Sequence, residues 1–181
     1  MSEDLEVLRI VISRLETAHI PYMLTGSVAA NYYGVPRMTR DIDLVIEVSP
    51  HEAGRLTKLF RADFYIEPDA VERAANERLM FNAIHMTLIV KVDFIVRKDS
   101  EYRHEEFRRR RCVMIDGVAT HIVAPEDLII SKLDWARDTR SEVQMTDVRN
   151  LLDAVPDLDH EYLMRWIGHL GLEPLYREAT G

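Results

Sequence analysis

Three carboxylates have the residue type and spacing best suited to chemistry. Asp41 and Asp43 lie two residues apart in the run Asp-Ile-Asp-Leu-Val-Ile-Glu-Val over 41–48, which alternates as a β-strand does. Residues two apart in a strand share one face, with Cα atoms roughly 6.6 Å apart. Asp93 lies in a second strand-like run among β-branched and aromatic residues. Together they are candidate ligands for Mg²⁺ or Mn²⁺, because these ions prefer oxygen ligands.

The surroundings of Asp93 leave two interpretations open. A carboxylate in a buried strand needs a partner, because burying an unpaired charge is costly. Asp93 either shares metal ions with Asp41 and Asp43 or forms an ordinary salt bridge with Lys91 or Arg97. The Asp-x-Asp pair alone is weak evidence for a metal site, because acidic pairs are common at strand ends.

A glycine–serine pair, Gly26-Ser27, joins a predicted strand at 22–25 to a predicted helix at 27–33. Glycine lets a ligand approach the backbone closely, and the start of a helix offers unpaired N–H groups to a phosphate. Arg37 and Arg40 could neutralise phosphate charge. With two cations on the carboxylates, such a site would hold the attacking and leaving oxygens in line. The predicted reaction is attack of a hydroxyl on the α-phosphate of a nucleoside triphosphate (NTP), with pyrophosphate leaving.

These motifs resemble the signature of the nucleotidyltransferase superfamily, the polymerase-β-like fold. The matching residues are Gly26-Ser27, then thirteen residues, then Asp41-Ile42-Asp43-Leu44, with Arg37-Met38-Thr39-Arg40 before the carboxylates and Lys91-Val92-Asp93-Phe94 as the separate strand. The downstream residues Pro125–Leu128, Lys132-Leu133, Gln144 and Asp147-Val148 are similar to the AbiEii-like toxin group. The resemblance covers roughly residues 20–155.

The resemblance implies a fold, an activity and partners. The fold is α+β, a short mixed sheet flanked by helices. The activity is Mg²⁺- or Mn²⁺-dependent transfer of a nucleoside monophosphate from an NTP to a tRNA, a protein or a small molecule, with a role as the toxin of a toxin–antitoxin pair. Lys132 is implied to contact the nucleotide or a phosphate, and Asp147 is implied to be a supporting residue. For Asp147 we favour a helix-surface position instead.

Periodicity and turn signals predict the elements that position these residues. We expect a nucleotidyltransferase-like catalytic body over 1–124 and a helical region over 125–181 that packs on it. Capping boxes, Ser49 with Glu52 and Ser141 with Gln144, mark two helix starts. The predicted strands cover 22–25, 41–48, 63–66, 79–86, 88–96, 113–115 and 118–123, and the predicted helices cover 4–18, 27–33, 69–78, 101–109 and 141–154, with others opening at Ser49, Pro125 and Asp159.

The composition is that of an ordinary globular protein. The chain has 181 residues and a formal net charge of −8, which argues against broad electrostatic binding of duplex nucleic acid. A basic run, Arg108–Arg111, is either an RNA-binding patch or a solvated helix end. A lone cysteine, Cys112, and the absence of a secretory signal or a membrane-length apolar run predict a cytoplasmic protein. We expect Cys112, Trp135 and Trp166 to be buried, although Trp135 could instead stack on a base.

Two alternatives to a catalytic site remain. The chain could be a non-catalytic nucleotide-binding or protein-interaction module that retains the fold. The acids could also be purely structural, paired with Arg37, Arg40 and Lys91. A bound antitoxin belongs to the enzyme hypothesis, because the toxin is the same enzyme under regulation.

Overall fold

A computed structural model describes residues 2–39 and 41–181. Its strands are β1 (Tyr22–Thr25), β2 (Asp41–Ile46), β3 (Phe64–Ile66), β4 (Met80–His85), β5 (Lys91–Val96), β6 (Arg111–Ile115) and β7 (Val118–Ile122). Its helices are α1 (Glu3–Thr17), α2 (Gly26–Tyr33), α3 (Ala53–Phe60), α4 (Pro68–Glu77), α5 (Glu101–Arg108), α6 (Pro125–Thr139), α7 (Glu142–Ala154), α8 (His160–Leu170) and α9 (Glu173–Thr180), with a 3₁₀ turn at Pro50–Glu52.

In the described part of the chain the strands form one seven-stranded mixed sheet, in the order β3-β4-β5-β2-β1-β7-β6. β2 pairs with β5 in parallel and β1 with β7 in parallel, and the remaining neighbours are antiparallel. The predicted fold class, a mixed sheet flanked by helices, is confirmed.

The centre of the sheet carries both the core and the candidate site. On β2, Ile42 and Leu44 are buried, while Asp41 and Asp43 point to the opposite face and are partly exposed. α2 packs against β1 and β2, so the chain turns back over this face as soon as β1 ends. The alternation of β2 therefore places its acids beside the start of α2 while its apolar residues complete the core.

Local sequence signals account for the remaining connections. Asp116-Gly117 joins β6 to β7 with φ angles of 47° and 79°. Two positive φ angles in succession define the predicted type I′ turn. Ser49 and Glu52 form the predicted capping box at the 3₁₀ turn that leads into α3.

The predicted capping box at α7 is wrong, although the helix itself begins after Ser141. The Ser141 side chain makes no capping hydrogen bond to the described residues. Gln144 instead accepts a hydrogen bond from Nζ of Lys132 at 3.0 Å, because a buried ammonium needs oxygen partners. The division of the chain at Pro125 stays a prediction.

The four arginines of the basic run Arg108–Arg111 form ion pairs or hydrogen bonds with other residues of the chain. Arg109 donates to Asp127 Oδ2 and Glu126 Oε2, both at 3.1 Å, and its guanidinium lies 3.6 Å from the centre of the Tyr162 ring. Burial raises the pKa of Asp127 to about 6, and Tyr162 donates to its other oxygen at 2.6 Å. Arg109 thus joins α5 to the start of α6 and to α8.

The other three arginines also have partners inside the chain. Arg108 pairs with Glu105, Arg110 donates to the carbonyl of Phe107, and Arg111 lies 3.6 Å from Glu126. Arg108 is a largely exposed residue at the end of α5, as the solvated-helix-end interpretation describes, whereas Arg109 and Arg111 contact Glu126 at the start of α6. The RNA-binding interpretation stays a prediction.

Two burial predictions are wrong. Cys112 is exposed because it lies on β6, the edge strand of the sheet. Trp135 is 55% exposed, on the side of α6 away from the core, whereas Trp166 is buried as expected. None of the helices in the described part of the chain combines the length and the apolar character that crossing a membrane demands.

Candidate active site

Strand register brings the predicted carboxylates together. In the parallel pair β2–β5, Asp43 is the direct partner of Asp93, and Asp41 is the partner of Lys91. On its other side Asp43 is paired with Thr25, the last residue of β1. Partners in register point to the same face, so Asp41, Asp43 and Asp93 form one group, which we call the carboxylate site.

Lys91 is the cation of this group. Its Nζ lies 3.1 Å from Oδ2 of Asp41 and 2.9 Å from Oδ2 of Asp93. The hydrogen bond to Asp93 is the largest of the effects that raise the pKa of Lys91, so the side chain remains an ammonium at neutral pH. The sequence left Lys91 and Arg97 as candidate partners of Asp93. Arg97 is not the partner, because it pairs with Glu47.

The carboxyl group of Asp43 is perturbed by its surroundings. Its pKa is raised to about 6, first because it is withdrawn from water and second because the negative charge of Asp93 lies beside it. The backbone N–H of Ser27 partly offsets this increase. A carboxylate pushed towards neutrality by neighbouring acids is one that a divalent cation would stabilise.

Gly26 is required by the position of Asp43. A Cβ atom built on Gly26 would overlap the Asp43 carboxyl group and would lie 2.8 Å from Asp43 Cβ. Its φ of +64° is also one that residues with a side chain rarely adopt. The strand-to-helix turn therefore places bare backbone directly against the carboxylate site.

The residues present fit a divalent cation, with one rearrangement. No three acidic, histidine or cysteine side chains among residues 2–39 and 41–181 already enclose a metal position. However, Oδ1 of Asp93 is buried and lacks a hydrogen-bond partner within those residues, and the Lys91 ammonium already marks a cation position between Asp41 and Asp93. Carboxylate oxygens that accept one cation at about 3 Å can accept another once the ammonium moves away.

Ser27 and Arg37 meet at the start of α2. Arg37 donates to the hydroxyl oxygen of Ser27 at 2.9 Å, which leaves the hydroxyl hydrogen free for a ligand. Within the described part of the chain, no side chain caps α2. The backbone N–H of Ser27 donates a hydrogen bond to Asp43, whereas the other N–H groups of the first turn are available to a ligand. These groups form a site for an anion next to the carboxylates.

Lys132 reaches this site through Asp147. Lys132 Nζ donates to Asp147 Oδ2 at 2.7 Å, and Arg37 holds the same carboxylate through two hydrogen bonds of 3.0 Å. Burial opposes ionisation of Asp147, but the hydrogen bonds from Arg37 and Lys132 outweigh it and lower its pKa. For Lys132 burial dominates and lowers the pKa.

The interpretation of Asp147 as a helix-surface residue is wrong. It is a buried residue that links Lys132 on α6 to Arg37 before β2. Residue patterns alone did not indicate this link, because the partners are remote in sequence. A signal was present, since Lys132 follows a run of apolar residues on α6 and a buried lysine requires an anion.

The predicted residues are thus largely assembled in one place. The carboxylate site, Gly26-Ser27, Arg37 and Lys132 surround the start of α2, with Lys91 and Asp147 as additions. Arg40, the remaining predicted phosphate-binding residue, lies outside the described residues.

Known structures share this arrangement of elements, although no family model and no curated protein matches the sequence. An antigenic nucleotidyltransferase-like protein from Paracoccidioides brasiliensis is 19% identical, over 96% of this chain and 90% of its own, with a TM-score of 0.57. The antibiotic-resistance factor ANT(2″)-Ia is 14% identical over 98% of both chains, with a TM-score of 0.61. The lincosamide antibiotic adenylyltransferase LnuA, with lincomycin bound, is 13% identical over 84% of this chain and 96% of its own, with a TM-score of 0.56.

These similarities extend along nearly the whole of each chain, including the helices after Pro125. At such low identities they establish the arrangement of the backbone. The chain therefore has the nucleotidyltransferase fold.

Proposed function

We propose that the protein is a nucleotidyltransferase that moves a nucleoside monophosphate from an NTP to a hydroxyl group of an acceptor. The observation that carries this proposal is the register of Asp43 opposite Asp93, directly beside Gly26 and the open start of α2. This register sets carboxylates beside backbone N–H groups, and these are the two kinds of group that bound cations and a triphosphate would need.

Each residue has a role in this proposal. The backbone at the start of α2 and the Ser27 hydroxyl bind the triphosphate. The hydroxyl hydrogen is free, the N–H groups other than that of Ser27 are uncapped, and the helix end is positive. Asp147 fixes Arg37 and Lys132 so that both positive charges remain at the phosphate end of the site. Lys132 interacts with the phosphates through its charge while its ammonium stays paired to Asp147.

Asp41, Asp43 and Asp93 would hold Mg²⁺ or Mn²⁺. When bound, the ions would neutralise the triphosphate and stabilise charge on the attacking and leaving oxygens. Burial and the neighbouring Asp93 raise the pKa of Asp43, so a bound cation would favour its ionised form.

A small-molecule hydroxyl is the acceptor to test first. Two of the similar structures are an antibiotic-resistance factor and an antibiotic adenylyltransferase, which also makes ATP the first donor to test. The net charge of −8 and the internal pairing of the Arg108–Arg111 run give little support to a tRNA surface. A protein acceptor, the AbiEii-like toxin role and an antitoxin partner stay predictions from the resemblance.

The first experiment is a titration of ATP and the other NTPs, with Mg²⁺, followed by thermal unfolding. A ligand present at a hundredfold excess over its Kd should stabilise the protein by about 2.7 kcal/mol. The doubly substituted Asp41→Asn/Asp43→Asn variant should lose this stabilisation. The Asp153→Asn/Asp157→Asn variant, with the same charge change at two exposed positions, should keep it.

Release of pyrophosphate in the presence of candidate hydroxyl acceptors then tests catalysis. Metal-dependent NTP binding, with no pyrophosphate released from the NTP in the presence of any acceptor, would favour the non-catalytic binding module. Absence of stabilisation by every NTP would overturn the proposal.

A further inference from the structure

Lys91 occupies the centre of the carboxylate site. It lies on β5, two residues before Asp93 and directly opposite Asp41 across the strand pair. Its ammonium therefore lies between the two carboxylates, within about 3 Å of an oxygen of each. A lysine at this position competes for the oxygens that a metal would need.

The ammonium and a metal ion cannot share this position. Mg²⁺ binds carboxylate oxygens at roughly 2.0–2.1 Å, so Asp41 and Asp93 would have to move inwards and displace the ammonium. Repulsion between two cations so close together would also be strong. Binding of a divalent cation to Asp41 and Asp93 therefore requires Lys91 to leave.

The three side chains differ in their freedom to make this change. The Lys91 side chain is 36% exposed and that of Asp41 is 50% exposed, whereas that of Asp93 is 10% exposed. Lysine also has a flexible four-carbon chain that can carry its charge outwards. Asp93 is thus the fixed point, and Lys91 and Asp41 are the groups that can move.

We propose that Lys91 is a resident counter-ion, which holds Asp41 and Asp93 together in the metal-free protein and is displaced by a divalent cation. The identity of that cation as the enzyme's own metal rests on the proposed function. Lys91 lowers the affinity for metal alone, because displacement breaks two ion pairs. An NTP brings phosphate oxygens as further metal ligands and an anion for the released ammonium, so metal and nucleotide bind together more tightly than metal alone.

The test is a titration with Mn²⁺ in the absence of nucleotide, with free Mn²⁺ measured by its electron paramagnetic resonance signal. Lys91→Met should bind Mn²⁺ at least tenfold more tightly than the wild-type protein. Lys91→Arg, which keeps the positive charge, should remain weak. Lys98→Met removes the same charge from an exposed position beyond the end of β5 and should behave as the wild type does. Lys91→Gln replaces Lys91→Met if the latter does not fold.

An unchanged or lower Mn²⁺ affinity in folded Lys91→Met would overturn the counter-ion role, and so would a complete lack of binding. The proposed function is judged separately, by metal-dependent NTP binding and pyrophosphate release in the wild-type protein. If those are observed while Lys91→Met leaves Mn²⁺ affinity unchanged, only the inference about Lys91 fails. If Asp41→Asn/Asp43→Asn binds Mn²⁺ as well as Lys91→Met does, the metal is bound elsewhere and the carboxylate site itself is wrong.

Discussion

Gly26 and Asp43 are in such close contact that no side chain can be added between them. A Cβ atom on Gly26 would lie 2.5 Å from Cγ of Asp43, well inside the contact distance of two carbon atoms. Because Asp43 is also held between β1 and β5, it cannot move away without disturbing the sheet.

Gly26→Ala should therefore cost both stability and ligand binding. We expect a loss of roughly 2–4 kcal/mol, since overpacking typically costs 1–3 kcal/mol and the positive φ adds about 1 kcal/mol. Binding of Mg²⁺ with NTP should fall by tenfold or more, because Asp43 is displaced. Chemical denaturation and the NTP titration measure the two effects.

Gly171 provides the matched control for this substitution. Its φ of +67° is close to that of Gly26, but an added Cβ atom would meet nothing within 4 Å. Gly171→Ala should lose only about 1 kcal/mol and bind NTP normally. Equal effects at the two glycines would mean that the contact with Asp43 is unimportant.

Asp43 should make the metal-free protein less stable as the pH rises. Its carboxyl pKa is about 6 in the folded protein, against an ordinary value of 3.8. The group is largely neutral in both states below about pH 3, and its ionisation in the unfolded chain progressively disfavours the folded state between about pH 4 and 6. The difference corresponds to at most roughly 3 kcal/mol above pH 6, since one pKa unit is about 1.4 kcal/mol.

Asp43→Asn should thus raise the stability of the metal-free protein at pH 7.5 by roughly 1–3 kcal/mol, with the gain disappearing towards pH 4. Thermal unfolding across this pH range measures the effect, with the exposed substitution Asp153→Asn as control. A gain that does not depend on pH would show that the pKa of Asp43 is not raised. The same variant should lose metal-dependent NTP binding, a case of stability traded for function.

Lys132 and Asp147 should be strongly coupled. Both side chains are almost completely buried. Asp147→Leu leaves the Lys132 ammonium without its carboxylate and should cost roughly 3–5 kcal/mol, whereas Lys132→Met leaves Asp147 paired with Arg37 and should cost less. We expect the double variant to cost less than the sum of the two by roughly 1–3 kcal/mol.

The pair Asp134 and Arg137, one turn apart on α6 with side chains 27% and 48% exposed, is the control for this cycle. Its coupling should be about 0.5 kcal/mol or less, because exposed ion pairs contribute little. A coupling between Lys132 and Asp147 as small as that of the control would contradict the role of Asp147 in fixing Lys132.

Arg109 should be essential for stability although its neighbour Arg108 is not. Arg109→Met leaves the buried carboxylates of Glu126 and Asp127 without their main cation and should cost roughly 3–5 kcal/mol. Arg108→Met, at a position 76% exposed, should change stability by less than about 0.5 kcal/mol. Urea denaturation measures the free energy of unfolding of both variants. Similar losses of stability would refute the inference that Arg109 connects α5 to α6.

Much of the fold could be predicted from the sequence because local rules decide it. The alternation at 41–46 requires the acids of β2 to face away from the core, and Asp116-Gly117 permits one kind of turn. The carboxylates, Gly26-Ser27 and Arg37 were identified because their spacing is fixed by one strand, one turn and one loop. These spacings follow from the backbone conformation, which the periodicity of the sequence indicates.

The partners of individual side chains could not be predicted in the same way. The side chain of Gln144 could either cap α7 or accept a hydrogen bond from Lys132. Only the packing of α7 against α6 decides between these two arrangements. Trp135 looked like a core residue by type, but its position on α6 faces outwards. To predict that Lys91 lies between two acids, one must know that β5 pairs in parallel with β2. No short stretch of sequence contains this information.

The ion pairs of Asp147 cross the point in the chain where the strands give way to helices. Arg37 comes from the loop before β2, whereas Asp147 and Lys132 come from α7 and α6. A ligand bound at the carboxylate site should therefore slow amide hydrogen exchange in α7, which contributes no carboxylate to that site. By the same reasoning, a fragment that ends before Pro125 would retain all three acids but would lack Lys132 and Asp147, which complete the phosphate-binding part of the site. We therefore expect the smallest active fragment to extend at least through α7.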